Sequence, residues 1–169
     1  MNYQQFLNKD NPVCKITVAG YGDMEVELFS DIAPITVKNF LDLVKEKFYD
    51  GLIFHRVIEG FMIQGGDPTK TGMGGSKDKI KGEFKANKVN NPLQHSKGVI
   101  SMARTSAYDS ASSQFFLMHE DAPHLDGLYA AFGVVTKGMD VIDKIASVKT
   151  NPMDRPIEDV VITRIERIR

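Results

Sequence analysis

The chain has 169 residues, of which 42% are apolar and 25% charged, with a net charge of −1, a single Cys and no Trp. That length buries roughly 68–70% of the unfolded surface, enough for a core without metal or disulfide staples, and one Cys (Cys14) excludes a disulfide-built secreted module. The near-neutral balance gives no global attraction to phosphate or to an anionic membrane, so nucleic acid and membrane surfaces are disfavoured as partners. The first residues, Met1 to Asp10, lack the basic start and apolar run of a signal peptide, and no stretch approaches the ~20 apolar residues of a bilayer span. The expectation is a soluble, cytoplasmic monomer built as one domain over residues 1–169.

Cys14, Ile16 and Val18 alternate with Lys15 and Thr17, and Met24, Val26 and Leu28 alternate with Glu25 and Glu27, the period of half-buried strands. Gly20-Tyr21-Gly22-Asp23 between them predicts a hairpin turn. The period then changes. Pro34 suits a first helical turn, Val37, Phe40, Leu41 and Val44 form an i, i+3, i+4, i+7 stripe, and Lys45 and Lys47 sit near the negative end of the dipole. After Asp50-Gly51, two strand-like runs, Ile53–Ile58 and Phe61–Gln64, are separated by Glu59-Gly60.

Residues 65–98 are mostly turn-forming, and a loop of that length in a compact domain is usually functional or disordered. Strand signals resume at Val99–Ala103, Phe115–Met118 and Ala130–Thr136. A second helix is predicted across Met139, Ile142, Ile145 and Ala146, and a last strand near Val160–Ile165. About eight short strands with two helices fit a mainly β fold, a closed eight-stranded antiparallel barrel, better than βαβ units. Side chains fill the interior of a barrel that size, so an active surface belongs on its outer wall.

Four histidines, His55, His95, His119 and His124, show no zinc spacing, and one Cys cannot complete a thiolate site. Ser113 is not in G-x-S-x-G, which leaves Ser-His-Asp hydrolysis unsupported. Gly72–Gly75 lacks the Lys and Ser/Thr of a phosphate loop. Residues 70–97 hold seven Lys against Asp78 and Glu83, a basic excess that reads first as a solvated loop and second as a contact for an acidic partner.

The informative stretch is Phe54-His55-Arg56-Val57-Ile58-Glu59-Gly60-Phe61-Met62-Ile63-Gln64-Gly65-Gly66-Asp67. Its alternation puts Arg56 on one face with Phe54 and Ile58, an unusual setting for a guanidinium unless that face meets solvent or a ligand. From the residues alone, Arg56 reads equally well as a structural ion-pair partner. Together with Gly98-Val99-Ile100-Ser101-Met102-Ala103, Ser113-Gln114-Phe115-Phe116 and Leu125-Asp126-Gly127…Phe132-Gly133, this stretch resembles the cyclophilin family of peptidyl-prolyl cis/trans isomerases, from about Val13 to Ile165. The resemblance implies an eight-stranded barrel capped by two helices with a proline pocket on its outer face. It matches Arg56 to the catalytic Arg, and Phe61, Met62, Phe116 and Leu125 to the apolar pocket walls. Gln64, Gln114, Ala103 and Arg104 match the peptide groove.

The chain departs from better-known members at His124, where many have Trp, at Tyr129, where many have His, and at Arg104, often Asn. Both His124 and Tyr129 remain substrate-binding candidates. The implied partners are proline-containing peptides and folding proteins, with cyclosporin binding weakened by His124. Rotation about an X-Pro imide breaks no bond, so it calls for no nucleophile, metal or cofactor. Its barrier of ~18–20 kcal/mol comes from lost amide resonance. Two other classes compete: a proline-peptide binding module without catalysis, and a barrel carrying a small ligand inside.

Overall fold

Alternation gives β1 (Val13–Val18) and β2 (Gly22–Leu28), which pair antiparallel with Cys14 opposite Val26 and Ile16 opposite Met24, so their apolar residues share the inner face. In the computed structural model, which describes residues 2–169, the remaining strands are β3 (Phe54–Ile58), β4 (Met62–Gly65), β5 (Val99–Met102), β6 (Phe115–Met118), β7 (Ala131–Lys137) and β8 (Ile162–Arg167). They form one sheet of eight strands in the order β3-β4-β6-β5-β7-β2-β1-β8, antiparallel throughout. The sheet curls into a half-barrel. Its edges, β3 and β8, meet through no ladder; an isolated bridge, Ile53 to Val161, and the Phe54 N–H to the Val160 carbonyl (3.0 Å) draw the seam together.

Helix α1 (Pro34–Lys45) packs against β8, and α2 (Met139–Ala146) against β2, β3 and β4. The buried face of α1 is Val37, Phe40, Leu43 and Val44, turned slightly from the expected stripe so that Leu41 is only half-buried. Ala33 offers its N-terminus no side-chain cap. Glu83, far along the chain, supplies one: its carboxylate accepts from the Thr36 N–H at 2.6 Å, the Thr36 hydroxyl at 2.7 Å and the Ile35 N–H at 3.3 Å. The long stretch between β4 and β5 is therefore pinned rather than loose.

Two apolar clusters result. The larger lies inside the curl, where Phe40, Tyr49, Phe54, Phe115 and Phe132 meet in tilted and edge-on pairs. Cys14 is within it, and burial pushes its thiol up to about 12, which keeps it protonated and inert. The smaller cluster covers the outer face of β4, β5, β6 and β7, with Met62, Phe116, Met118, Leu125 and Val134 at its centre. Period 2 separates the two: neighbours Phe115 and Phe116 belong to different clusters.

Candidate active site

The position of Arg56 is set by one extra residue. On β3, Phe54 is opposite Gly65 of β4, yet Arg56 is opposite Gln64, so two steps on one strand match one on the other. His55 is thus a β-bulge, which re-aims the next side chain along the strand. Phe54 and Val57 both enter the inner cluster, while Arg56 is exposed on the outer face. Arg56 therefore does not share a face with Phe54, as unbroken alternation would require; the bulge resets the alternation between them.

Beside Arg56 a cavity of about 140 Å³ is lined by Phe61, Met62, Gln64, Ala103, Arg104, Phe116, Leu125 and Tyr129. A void of about 150 Å³ admits benzene in an engineered core, so this one suits a five-membered ring. Met62 and Gln64 on β4, Phe116 on β6 and Ala103 just past β5 reach it because they share the outward phase of paired strands. Leu125 arrives on a one-turn 3₁₀ helix, Pro123–Leu125, whose Pro start and tight pitch bury Leu125 and leave His124 exposed. The sequence pattern predicts no element there.

Two of the expected residues stand outside this lining. Gln114 extends the groove: the Gln64 side-chain amide donates to its carbonyl at 2.9 Å, and its own amide donates to the Gly72 and Gly74 carbonyls at 3.1 and 2.7 Å. The pair forms the wall between the pocket and a neighbouring cavity of about 270 Å³ running along Gly72–Ser76, Ala103 and Arg104. His124 sits at the rim, its ring 5.8 Å from that of Phe61. Arg104 does more than line a groove. Its guanidinium lies 4.9, 5.1 and 4.6 Å from the ring centres of Phe84, Tyr108 and Tyr129, and donates to the Leu128 carbonyl through Nε and Nη2 and to Thr105 O through Nη1. It ties the Tyr129 loop to the opposite wall.

A support beneath Phe116 has no signature in the sequence. The His95 ring stacks on Phe116, with Nδ1 3.0 Å from an Asp126 oxygen and Nε2 2.8 Å from the Ser101 hydroxyl. Burial holds His95 below its usual range against the raising effect of Asp126, so the neutral ring donates from Nδ1 and accepts from Ser101. The order Ser-His-Asp looks hydrolytic, yet Ser101 is 0% exposed and no substrate reaches it. Its work is to fix the pocket floor.

Asp67 fixes the groove loop. Its carboxylate accepts the N–H groups of Thr69, Thr71, Gly72 and Gly74 and the Thr69 hydroxyl. Burial would raise its pKa, but the Thr69, Gly74 and Gly72 donors win and hold it at about 2. Gly66 permits this return of the chain: its φ is +93°, and a Cβ there would lie 2.6 Å from the Ser113 carbonyl. The Gly65-Gly66-Asp67 run, followed by Thr69, Gly72 and Gly74, is the signal that could have announced it. Among the described residues, no group of three or more His, Cys, Asp or Glu side chains is placed to hold a metal.

The family described as cyclophilin type peptidyl-prolyl cis-trans isomerase/CLD matches residues 13–167. The chain belongs to the cyclophilin-type peptidyl-prolyl cis-trans isomerases. It is 43% identical over 145 residues to peptidyl-prolyl cis-trans isomerase CYP18-1 of Arabidopsis thaliana, covering 85% of this chain and 89% of that one. It is 49% identical over 135 residues to a peptidyl-prolyl cis-trans isomerase of Acinetobacter baylyi, covering 77% and 70%. Against peptidyl-prolyl cis-trans isomerase-like 2 of Rhizopus delemar it is 44% identical, but it spans only 28% of that longer protein.

A cyclophilin type isomerase of Cryptosporidium parvum superposes with a TM-score of 0.87 at 32% identity, over 94% of this chain and 98% of that one. The same fold was solved in the presence of the dipeptide Ala-Pro (TM-score 0.84, 33% identity, 91% and 97% covered). The isomerase family is an enzyme family, and eight antiparallel strands with two helices are its architecture here.

Proposed function

We propose that Arg56 is the catalytic group of this isomerase and that the 140 Å³ cavity beside it holds the proline ring while the preceding carbonyl rotates. The observation that carries this reading is the state of Arg56: at the lip of an apolar pocket, its guanidinium takes part in no hydrogen bond or ion pair among the described residues. A structural ion-pair Arg would have a carboxylate. As the imide twists, its nitrogen regains a lone pair, and a fixed cationic donor stabilises that state more than the planar one. The planar, permanently charged guanidinium suits the task. The twisted imide is also less polar than the planar one, so Phe61, Met62, Phe116 and Leu125 favour it.

A gain of about five decades in rate requires ~7 kcal/mol, which one charge-assisted hydrogen bond, desolvation and positioning together can supply. Clients are proline-containing peptides and folding chains in the cytoplasm, met by a monomer. Cyclosporin affinity is lowered by His124, because an imidazole replaces only part of the indole's apolar face and its N–H donor. Exchange spectroscopy on an X-Pro peptide tests the reading. Acceleration of cis/trans exchange at catalytic protein concentration supports it; saturable peptide binding with no acceleration would reduce the groove to a binding module.

A further inference from the structure

Arg56 and Gln64 also line a third cavity, of about 540 Å³, whose other walls include His55, Lys70, Met153 and Arg155. No acidic side chain lines it. Lys70 is half-buried and has no carboxylate partner among the described residues. Arg155 donates to the Lys70 carbonyl at 2.8 Å, tying the 151–159 loop to the groove loop, and among the described residues its one carboxylate neighbour is Asp159 at 3.5 Å. The buried carboxylate of Asp67, which acts on His55 from within, is already occupied by the Thr69, Gly72 and Gly74 donors.

His55 adds a polar ring edge to the same cavity. As the bulge residue it lacks a strand partner, it is 7% exposed, and its Nδ1 is buried with no hydrogen bond. The opposite ring edge, Cδ2 and Nε2, faces Gly72, 3.6 Å from where a side chain there would begin. Since Gly72 has none, the edge is left open to the cavity. With Nδ1 unpartnered, the ring proton is free to sit on Nε2. Met153, 81% exposed at the rim, offers an apolar contact for a side-chain stem.

We infer that this cavity receives the carboxylate of an Asp or Glu side chain in the client, so that the enzyme selects prolines flanked by an acidic residue. The inference rests on the reading of the adjoining pocket as the proline site. The test uses peptide pairs that differ only by Glu or Gln at each of the three positions on either side of proline. Binding is read by chemical-shift titration and turnover by exchange spectroscopy on the same samples.

At one position the Glu peptide is expected to bind about three to ten times more tightly, a gap that shrinks with salt. The gap closes in Lys70→Asn, chosen because Lys70 has φ +61° and Asn tolerates that region, and in Arg155→Gln. Equal binding of Glu and Gln peptides at every position overturns the inference, as does a gap that survives both substitutions. Failure of the isomerase reading looks different: peptides that bind, with or without an acidic preference, and are not accelerated.

Discussion

The two apolar clusters share the strands β4, β5, β6 and β7 and differ in how they are enclosed. The inner one is enclosed on all sides, and its few polar groups are satisfied locally, as where the Tyr49 hydroxyl donates to the Ser113 carbonyl at 2.9 Å. The outer one is a thinner layer with a buried polar relay, His95, Ser101 and Asp126, and its edge is left uncovered as the pocket. On the function proposed above, stability and activity are divided between the two faces of one sheet, with β4, β5, β6 and β7 contributing to both.

The sharpest way to break that division is to empty each cluster in turn. Phe40→Ala, in the inner cluster, is expected to cost about 3–5 kcal/mol in urea unfolding. Phe116→Ala should cost less, because its ring borders the pocket and the void it leaves opens into that cavity, while lowering isomerase activity tenfold or more. Equal stability losses with equal activity losses would dissolve the distinction.

A smaller effect probes the polar relay. Ser101→Ala strips the buried His95 Nε2 of its donor and is expected to destabilise by roughly 1–3 kcal/mol. If the relay also fixes the pocket floor, the Phe116 side-chain signals broaden and catalytic efficiency falls with little change in the response to salt. A variant as stable as wild type would show that water replaces the hydroxyl at no cost.

Asp67 gives a pH-dependent test confined to the groove. Its carboxyl is lowered from 3.8 to about 2 by folding, so the stabilisation it brings is complete above pH 4 and is lost as pH falls through 2. The protection factors of the Gly72 and Gly74 amides, corrected for intrinsic exchange at each pH, should fall over that interval and stay constant between pH 5 and 8. In Asp67→Asn the acid response disappears and the two amides exchange faster throughout.

The smallest expected effect is at the rim. His124→Trp should raise cyclosporin affinity several-fold while leaving unfolding unchanged, since His124 is exposed and, among the described residues, Phe61 is the one ring it meets. No gain in affinity would separate the inhibitor difference from position 124.

Most of the fold was legible because strict alternation and one helical stripe are local signals: all eight strands and both helices lie where patterns such as those of Cys14–Val18, Pro34–Val44 and Met139–Ala146 put them. What escaped depended on chain-distant partners. The bulge at His55 is a mismatch with β4 and has no signature within β3. The Glu83 cap on α1 spans 47 residues to Thr36, and the His95 relay joins a loop to Ser101 and to Asp126. The family resemblance marked Arg104 as a groove residue but gave no hint of the three rings around it.

Arg56 carries the central claim, and it is also the residue whose face the bulge decides. Arg56→Ala, measured in the protease-coupled prolyl peptide assay with the fold checked by its amide spectrum, is expected to lower catalytic efficiency by about 10² or more at unchanged structure. A correctly folded Arg56→Ala protein with full activity would contradict the account.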